Sequence, residues 1–389
     1  MTKTMLPRAL RATVLALLLP LTACNTVDSF SSREPEPTKP TTVFSIAGRQ
    51  MTGVAAVPAR SGSGTRLFVS FPRWHGTVPT SVAEVLPGEI LRPYPDGIWN
   101  SWTESEATSG GSDVATKFVC VQSVVGDERG DLWILDPGSP RMAGVLPGAP
   151  KLVHVDTRTD KVMRTYSFDA KIAPKESYLN DVRIDRNARR AYITDSGRAG
   201  LVIVNLDTGD ARRVLDNHLT TRADPGVVPV VDRRELRYAN GPDKGKAPQV
   251  NSDGIALDAK RGYLYWQALT GRRLYRVRTA LLNDFSSTDS AVSYAVEDLG
   301  RTVVTDGIEV GYDGEILFTA LERNAIMARD RDGKIRTIAE SPLLAWPDSL
   351  AFGPDGTLYV TTSQIHRTPW FDPAGTMPTE PFRVIKIPY

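Results

Sequence analysis

The chain has 389 residues, 41% hydrophobic and 24% charged, the composition of a folded globular protein and not of a disordered one. Its 47 Lys and Arg against 45 Asp and Glu leave a formal net charge of +2, with the two signs interspersed. No Lys/Arg block or aromatic-basic stripe occurs, so no nucleic-acid partner is expected, and two cysteines are too few for a disulfide scaffold.

The first residues read as an export signal. Lys3, Arg8 and Arg11 give a positive start, and the apolar stretch from Ala12 to Leu21 is too short to span a bilayer as a helix. It ends in Leu21-Thr22-Ala23-Cys24, which resembles the lipobox at which bacterial lipoproteins are cleaved and acylated on the cysteine. Residues 1–23 are therefore expected to be a lipoprotein signal peptide. Cys24 would carry the lipid, and residues 24–41, rich in Ser, Thr, Pro and Glu, would form a flexible tether. The expected location is the bacterial cell envelope, with the membrane reached through the lipid alone. Acylation of Cys24 leaves Cys120 single, a small core residue in the apolar run Phe-Val-Cys-Val.

From residue 42 onward one pattern recurs: a polar anchor, a small residue, an apolar run, a turn with Asp or Gly, then an aromatic-rich strand. Its clear copies begin at Asn180, Asp253, Asp306 and Asp348, a weaker one at Gln122 and the weakest at Thr52. Each copy fits two short strands joined by a tight turn. Further alternating segments follow, at 151–155 and 162–168, at 201–206 and 211–215, and at 325–329 and 335–339. Four antiparallel strands per unit make a propeller blade, and a sandwich would not repeat one hairpin signature along its length. The sixth unit has only one further strand, 382–388, while 42–47 is an orphan strand ahead of the first unit. The fold expected for residues 42–389 is all-β: a six-bladed β-propeller closed by an N-terminal strand pairing into the last blade. A monomer is expected. The Pro/Gly-rich insertion at 221–250 is placed to cover one mouth of the channel.

The residues Leu67-Phe-Val-Ser-Phe-Pro-Arg-Trp74, Val78-Pro-Thr-Ser, Leu91-Arg-Pro-Tyr-Pro-Asp96, Asp131-Leu-Trp-Ile-Leu-Asp136, Asp253-Gly-Ile-Ala-Leu and Arg273-Leu-Tyr-Arg-Val resemble the major royal jelly protein/yellow family. That resemblance implies a six-bladed propeller, with dopachrome-converting activity or carriage of amines and other small ligands in the channel. The hairpins are also similar to those of gluconolactonase-like propellers, where Asn and Asp at the inner-strand starts hold a divalent metal. That pattern has a Glu in the first blade, where this chain has Thr52-Gly53.

Aligned blades would place Thr52, Gln122, Asn180, Asp253, Asp306 and Asp348 around one channel mouth. Crowded carboxylates raise one another's pKa or recruit a cation, and Ca²⁺ suits a loose ring of carboxylate and amide oxygens. The expected ligand-binding residues are thus Gln122, Asn180, Asp253, Asp306 and Asp348. Asn180 and Asp253 lead as ligands of Ca²⁺ or another divalent metal, and Asp253 or Asp306 as catalytic base. The alternative is local: Asp or Asn before Gly also closes turns by binding nearby backbone N–H groups. Tyr178, Trp266 and Trp346 neighbour the anchors and are expected to pack between blades, with stacking on a ligand as the alternative. His154 reads as structural, while His75, His218 and His366 show no ligand spacing. Three functions remain open. One is a channel enzyme, either a metal-assisted lactone hydrolase or a dopachrome-type tautomerase. The others are a non-catalytic binder of small cationic or aromatic molecules and an envelope interaction scaffold.

Overall fold

The computed structural model describes residues 36–105 and 113–389. The expected signal peptide, Cys24 and most of the expected tether lie outside the described residues. Six four-stranded sheets follow one another along the chain. Blade 1 is Val54–Pro58, Thr65–Ser70, Val82–Leu86 and Ile90–Pro93, and blade 2 is Ser123–Gly126, Leu132–Asp136, Lys151–Asp156 and Lys161–Ser167. Blade 3 is Leu179–Asp185, Arg190–Asp195, Gly200–Asn205 and Ala211–Val214; blade 4 is Ser252–Asp258, Tyr263–Ala268, Arg273–Arg278 and Glu297–Arg301. Blade 5 is Thr305–Val310, Ile316–Ala320, Ala325–Arg329 and Ile335–Glu340. Blade 6 is Pro347–Phe352, Leu358–Thr362 and Phe382–Ile387, completed on its outer edge by Thr41–Ile46. That closing strand pairs antiparallel, from Thr41 opposite Lys386 to Ile46 opposite Phe382, so the ring is joined by hydrogen bonds between the two ends of the propeller.

Because each blade is covered on both faces by its neighbours, its second strand is largely buried and not alternating. Leu132–Asp136 and Ile316–Ala320 are buried at every position. The outermost strands face water on one side, and Lys161–Ser167 alternates accordingly. Every seam has its own apolar cluster. Blades 2 and 3 share Trp133, Leu135, Val182 and Ile193; blades 3 and 4 share Tyr192, Leu201, Ile255 and Trp266; blades 6 and 1 share Phe44, Tyr359, Val54 and Val69. Cys120 is fully buried in a loop cluster with Trp74, Trp102 and Tyr178.

Two short helices, Thr279–Asn283 and Asp289–Tyr294, fill the connection to the last strand of blade 4. Among the described residues no helix is long and apolar enough to cross a membrane. The insertion after blade 3 forms a small hairpin, Val230–Val231 with Arg234–Glu235. It returns toward the C-terminal loop, where Ala239 N donates to Trp370 O (2.8 Å) and Tyr238 stacks on Phe371.

Candidate functional site

The inner strands of blades 3 to 6 all break register at their first residues. In each, two residues oppose one: Asn180-Asp181 against Thr194, Asp253-Gly254 against Gln267, Asp306-Gly307 against Thr319, and Asp348-Ser349 against Thr361. Such a bulge leaves an extra residue out of the ladder and re-aims its side chain. The backbone freed there is satisfied by the opposing threonines. Thr319 Oγ1 accepts from Asp306 N (3.1 Å) and Gly307 N (2.9 Å), and Thr361 Oγ1 accepts from Ser349 N (3.1 Å). The same hydroxyls register one blade on the next. Thr194 Oγ1 donates to Asp253 O (2.6 Å), Ser70 Oγ to Gln122 O (2.9 Å), and Thr361 Oγ1 to Thr52 O across the closing seam.

Glycine after two of the aspartates has the same origin. A Cβ at Gly254 would stand 2.5 Å from Asp306 O, and one at Gly307 would stand 2.3 Å from Asp348 O. The Asp-Gly pairs therefore mark close passage of the neighbouring blade's backbone, not a turn. The Asp253 and Asp306 carboxylates take side-chain donors, Asn180 Nδ2 and Trp346 Nε1; capping of backbone N–H groups is done elsewhere, by Asp136 and Asp195.

Gln122, Asn180, Asp253, Asp306 and Asp348 line one cavity of about 500 Å³. Thr52 does not join them: it is fully buried, and its hydroxyl donates to Gln122 O (2.7 Å). The floor is acidic and tightly tied. Asn180 Nδ2 donates to Asp253 Oδ2 (2.8 Å) and Ser196 Oγ (2.9 Å), while Trp346 Nε1 donates to Asp306 Oδ2 (2.7 Å). Gln122 Oε1 accepts from Tyr178 OH (3.0 Å), which accepts from Trp74 Nε1 (2.6 Å). Asp348 Oδ2 is buried without a hydrogen-bond partner. The walls and roof are largely apolar: Trp74, Trp346, Leu269 and Ile365, with Tyr238, Pro242, Pro248 and Val250 of the insertion and Trp370 and Phe371 of the C-terminal loop.

Burial raises the pKa of all three carboxyl groups. Asp253 is pushed well above the ordinary range by burial first, then by Asp306, Asp348 and Asp181. Asp348 is raised likewise by burial and then by Asp306. Asp306 is raised to about 6 by burial, an increase limited by its bonds from Trp346 and Asp253.

Beneath this floor the axis is closed by residues the sequence reading missed. Arg183, from blade 3, bonds Asp181 Oδ2 (2.9 Å), reaches Ile308 O of blade 5 (2.8 Å) and faces Glu309 (3.2 Å). Asp181 also accepts from Ser123 Oγ (2.7 Å). The mouth is thus a blind pocket.

Of the neighbouring aromatics, Trp266 packs in the seam and bonds Thr220 O (2.9 Å), and Tyr178 stands behind Gln122. Trp346 departs from the expected seam packing and lines the cavity. His154 stacks on Trp133 and bonds Asp131 (2.9 Å), as a structural residue does. His218 bonds Ser293 Oγ (2.9 Å) on the rim helix, away from the mouth.

Among the described residues, only Asp127, Asp131 and His154 bring three acidic or imidazole ligand atoms within 4.8 Å of one another. Arg186 already lies against both of those aspartates, at 3.4 and 3.6 Å, and supplies the positive charge there. The three mouth carboxylates form no such set, so their ring is wider than a single-ion cage. Asn180 turns its N–H side to Asp253, and its oxygen would have to rotate inward to share an ion with that carboxylate. The mouth accordingly fits a metal through at most two carboxylates with the amide and water.

A family model described as major royal jelly protein matches residues 119–369. Protein yellow of Drosophila yakuba is 26% identical over 279 residues, covering 68% of this chain and 49% of that protein. The chain spans about half the length of the curated relatives it matches. Among solved structures, a gluconolactonase from Xanthomonas campestris superposes with a TM-score of 0.54 at 11% identity, over 90% of this chain and 89% of that one. A luciferin-regenerating enzyme does so with a TM-score of 0.50 at 10% identity, over 90% and 95%. At such identities the likeness is one of fold.

Proposed function

We propose that this chain, which belongs to the major royal jelly protein family, binds a small organic cation with an aromatic or apolar body in the mouth of its propeller. The observation that carries the reading is the floor itself: three carboxyl groups that burial holds above their ordinary pKa, Asp306 further raising Asp253 and Asp348, one with an unpartnered oxygen, under an aromatic roof. An ammonium group relieves that repulsion where protons otherwise must. Its several N–H donors can reach a ring too wide for one metal ion, and the ring of an arylalkylamine would lie against Trp346, Trp370 and Phe371.

A second reading is catalytic. A carboxyl group titrating near 6, as Asp306 does, suits proton transfer near neutral pH, as a dopachrome-type tautomerase needs. In a lactone hydrolase, Asn180 and Asp253 would hold Ca²⁺ or another divalent ion that polarises the carbonyl, with Asp306 as base. Calorimetric titration of the full chain with tyramine and with its uncharged analogue 4-ethylphenol tests the first reading. Tyramine should bind with proton release and 4-ethylphenol should not bind. Asp253→Ala and Asp306→Ala should each weaken tyramine at least ten-fold in a folded propeller. Equal uptake of the two probes, or unchanged uptake in both variants, sinks it. Elemental analysis and titration after chelation decide the metal: tyramine uptake that survives removal of a bound ion separates the two readings. We further propose that the propeller is exported and held at the cell envelope by lipid on Cys24.

A further inference from the structure

Trp346 sits in a left-handed backbone conformation (φ 53°), where a bulky side chain is a genuine outlier, yet its side chain is almost fully buried. Strained positions of this kind persist only where the surroundings over-determine them, and they gather at functional sites. The surroundings here are specific. One edge of the indole donates to Asp306 Oδ2 (2.7 Å), and one face lies parallel to the His366 ring, 10° from coplanar with centroids 5.7 Å apart.

His366 does not line the mouth; it faces a separate cleft of about 360 Å³ between the insertion and the C-terminal loop. Its Nε2 bonds Asp232 Oδ2 (3.0 Å), its Nδ1 is buried without a partner, and burial pushes its pKa down to about 4. The neutral ring therefore donates Nε2–H to the carboxylate. Asp232 is a turn residue of the insertion hairpin, itself left-handed (φ 48°); Arg367 donates to the same Oδ2 (2.6 Å) and Asn324 Nδ2 to Oδ1 (3.3 Å). Four segments remote in sequence thus meet in one line, from the roof insertion through two stacked rings to the acidic floor.

We propose that His366 is a positioning residue: anchored by Asp232, it fixes the Trp346 indole against Asp306 and so couples the roof insertion to the carboxylate floor. The consequence for ligand uptake rests on the cation reading above; the positioning itself does not. A displacement of the insertion withdraws Asp232, frees His366 and lets the indole leave Asp306, so closure of the roof and the binding state of the floor reinforce each other.

The test uses the full chain labelled with ¹⁵N-tryptophan, the Trp346 indole signal being assigned with Trp346→Phe. In His366→Ala that signal should move toward the position of an unbonded indole, and tyramine affinity should fall about ten-fold. His366→Phe keeps the stacked ring but loses the bond to Asp232, so it should move both readouts only as far as Asp232→Ala does, less than His366→Ala, and adding Asp232→Ala to it should change neither further. Asp232→Ala should shift both in the same direction as His366→Ala, and it carries the test if that variant fails to fold. An unmoved indole signal in His366→Ala and Asp232→Ala overturns the proposal, as does equal loss in the Phe and Ala variants. If the wild type ignores tyramine while the indole signal follows this pattern, the cation reading falls and the positioning role stands.

Discussion

Replacing Asp306 by Asn should make the protein more stable at alkaline pH while impairing its site. Asn is nearly isosteric and keeps an oxygen to accept the Trp346 N–H, so the packing around the mouth is preserved. What it removes is a charge that the fold holds at a cost. The Asp306 pKa lies above its ordinary 3.8, at about 6, so the folded state binds this proton more tightly than the unfolded chain does. The stability linked to that proton is fully present below pH 3.8 and is lost as pH rises through about 6. At about 1.36 kcal/mol per pKa unit, the ionised group costs at most about 3 kcal/mol at pH 8, and water or counter-ions drawn into the mouth reduce this. For a propeller of roughly 350 residues, whose unfolding entropy is near 2.1 cal/mol/K per residue, that ceiling corresponds to about 4 °C in Tm. Scanning calorimetry in chelator, without amine, should therefore show Asp306→Asn melting about 2–4 °C above the wild type at pH 8. At about pH 3.5, below both pKa values, the two should coincide within roughly 1 °C. A difference that does not change with pH, or a variant less stable at pH 8, would refute the claim that this carboxylate is held against its environment.

Two other expectations are simpler. Lys151 is fully buried and donates to Asp136 Oδ2 (2.9 Å), Val114 O (2.8 Å) and Ala149 O (2.9 Å), so Lys151→Met leaves a buried carboxylate without its counter-charge. Asp136 keeps the N–H groups of Val119, Cys120 and Gly138, which places the loss at the lower end for such pairs, about 3 kcal/mol in urea unfolding. Cys24→Ser should move the chain from the membrane to the soluble fraction without altering its melting; retention at the membrane would remove the lipid proposal.

The fold was legible because each blade repeats the same physical problem. A hairpin whose two faces both meet neighbours must be apolar along its second strand, and Leu-Trp-Ile-Leu, Tyr-Leu-Tyr-Trp and Ile-Leu-Phe-Thr-Ala show this without ambiguity. The orphan strand ahead of blade 1 was legible by subtraction, since blade 6 lacked an outer edge and Thr41–Ile46 had no other partner. What could not be read was how the outer connections use the surface. The two rim helices of blade 4 are five and six residues long, too short for a periodicity to emerge.

At the mouth, sequence position and side-chain direction part company. Asn180, Asp253, Asp306 and Asp348 share a bulge and share a cavity, whereas Thr52, at the matching point of blade 1, is sealed in the seam by its bond to Gln122 O. A signal for the bulge was present: the threonines Thr194, Thr319 and Thr361, opposite three of the four anchor pairs and otherwise odd in such apolar strands. Arg183 and Glu309 carried no comparable mark, because a charged residue inside an inner strand reads as an outward-facing one until the ring is closed. Their pairing across the axis explains why the floor can stay acidic. Arg183 offsets Asp181 and Glu309 below, and the one guanidinium lining the mouth, that of Arg141, is paired with Glu104 (3.0 Å), so the carboxylates above must take up a proton or a ligand. A guanidinium bonded to the floor carboxylates themselves, as Arg183 is to Asp181, would have neutralised the mouth and left it nothing to bind.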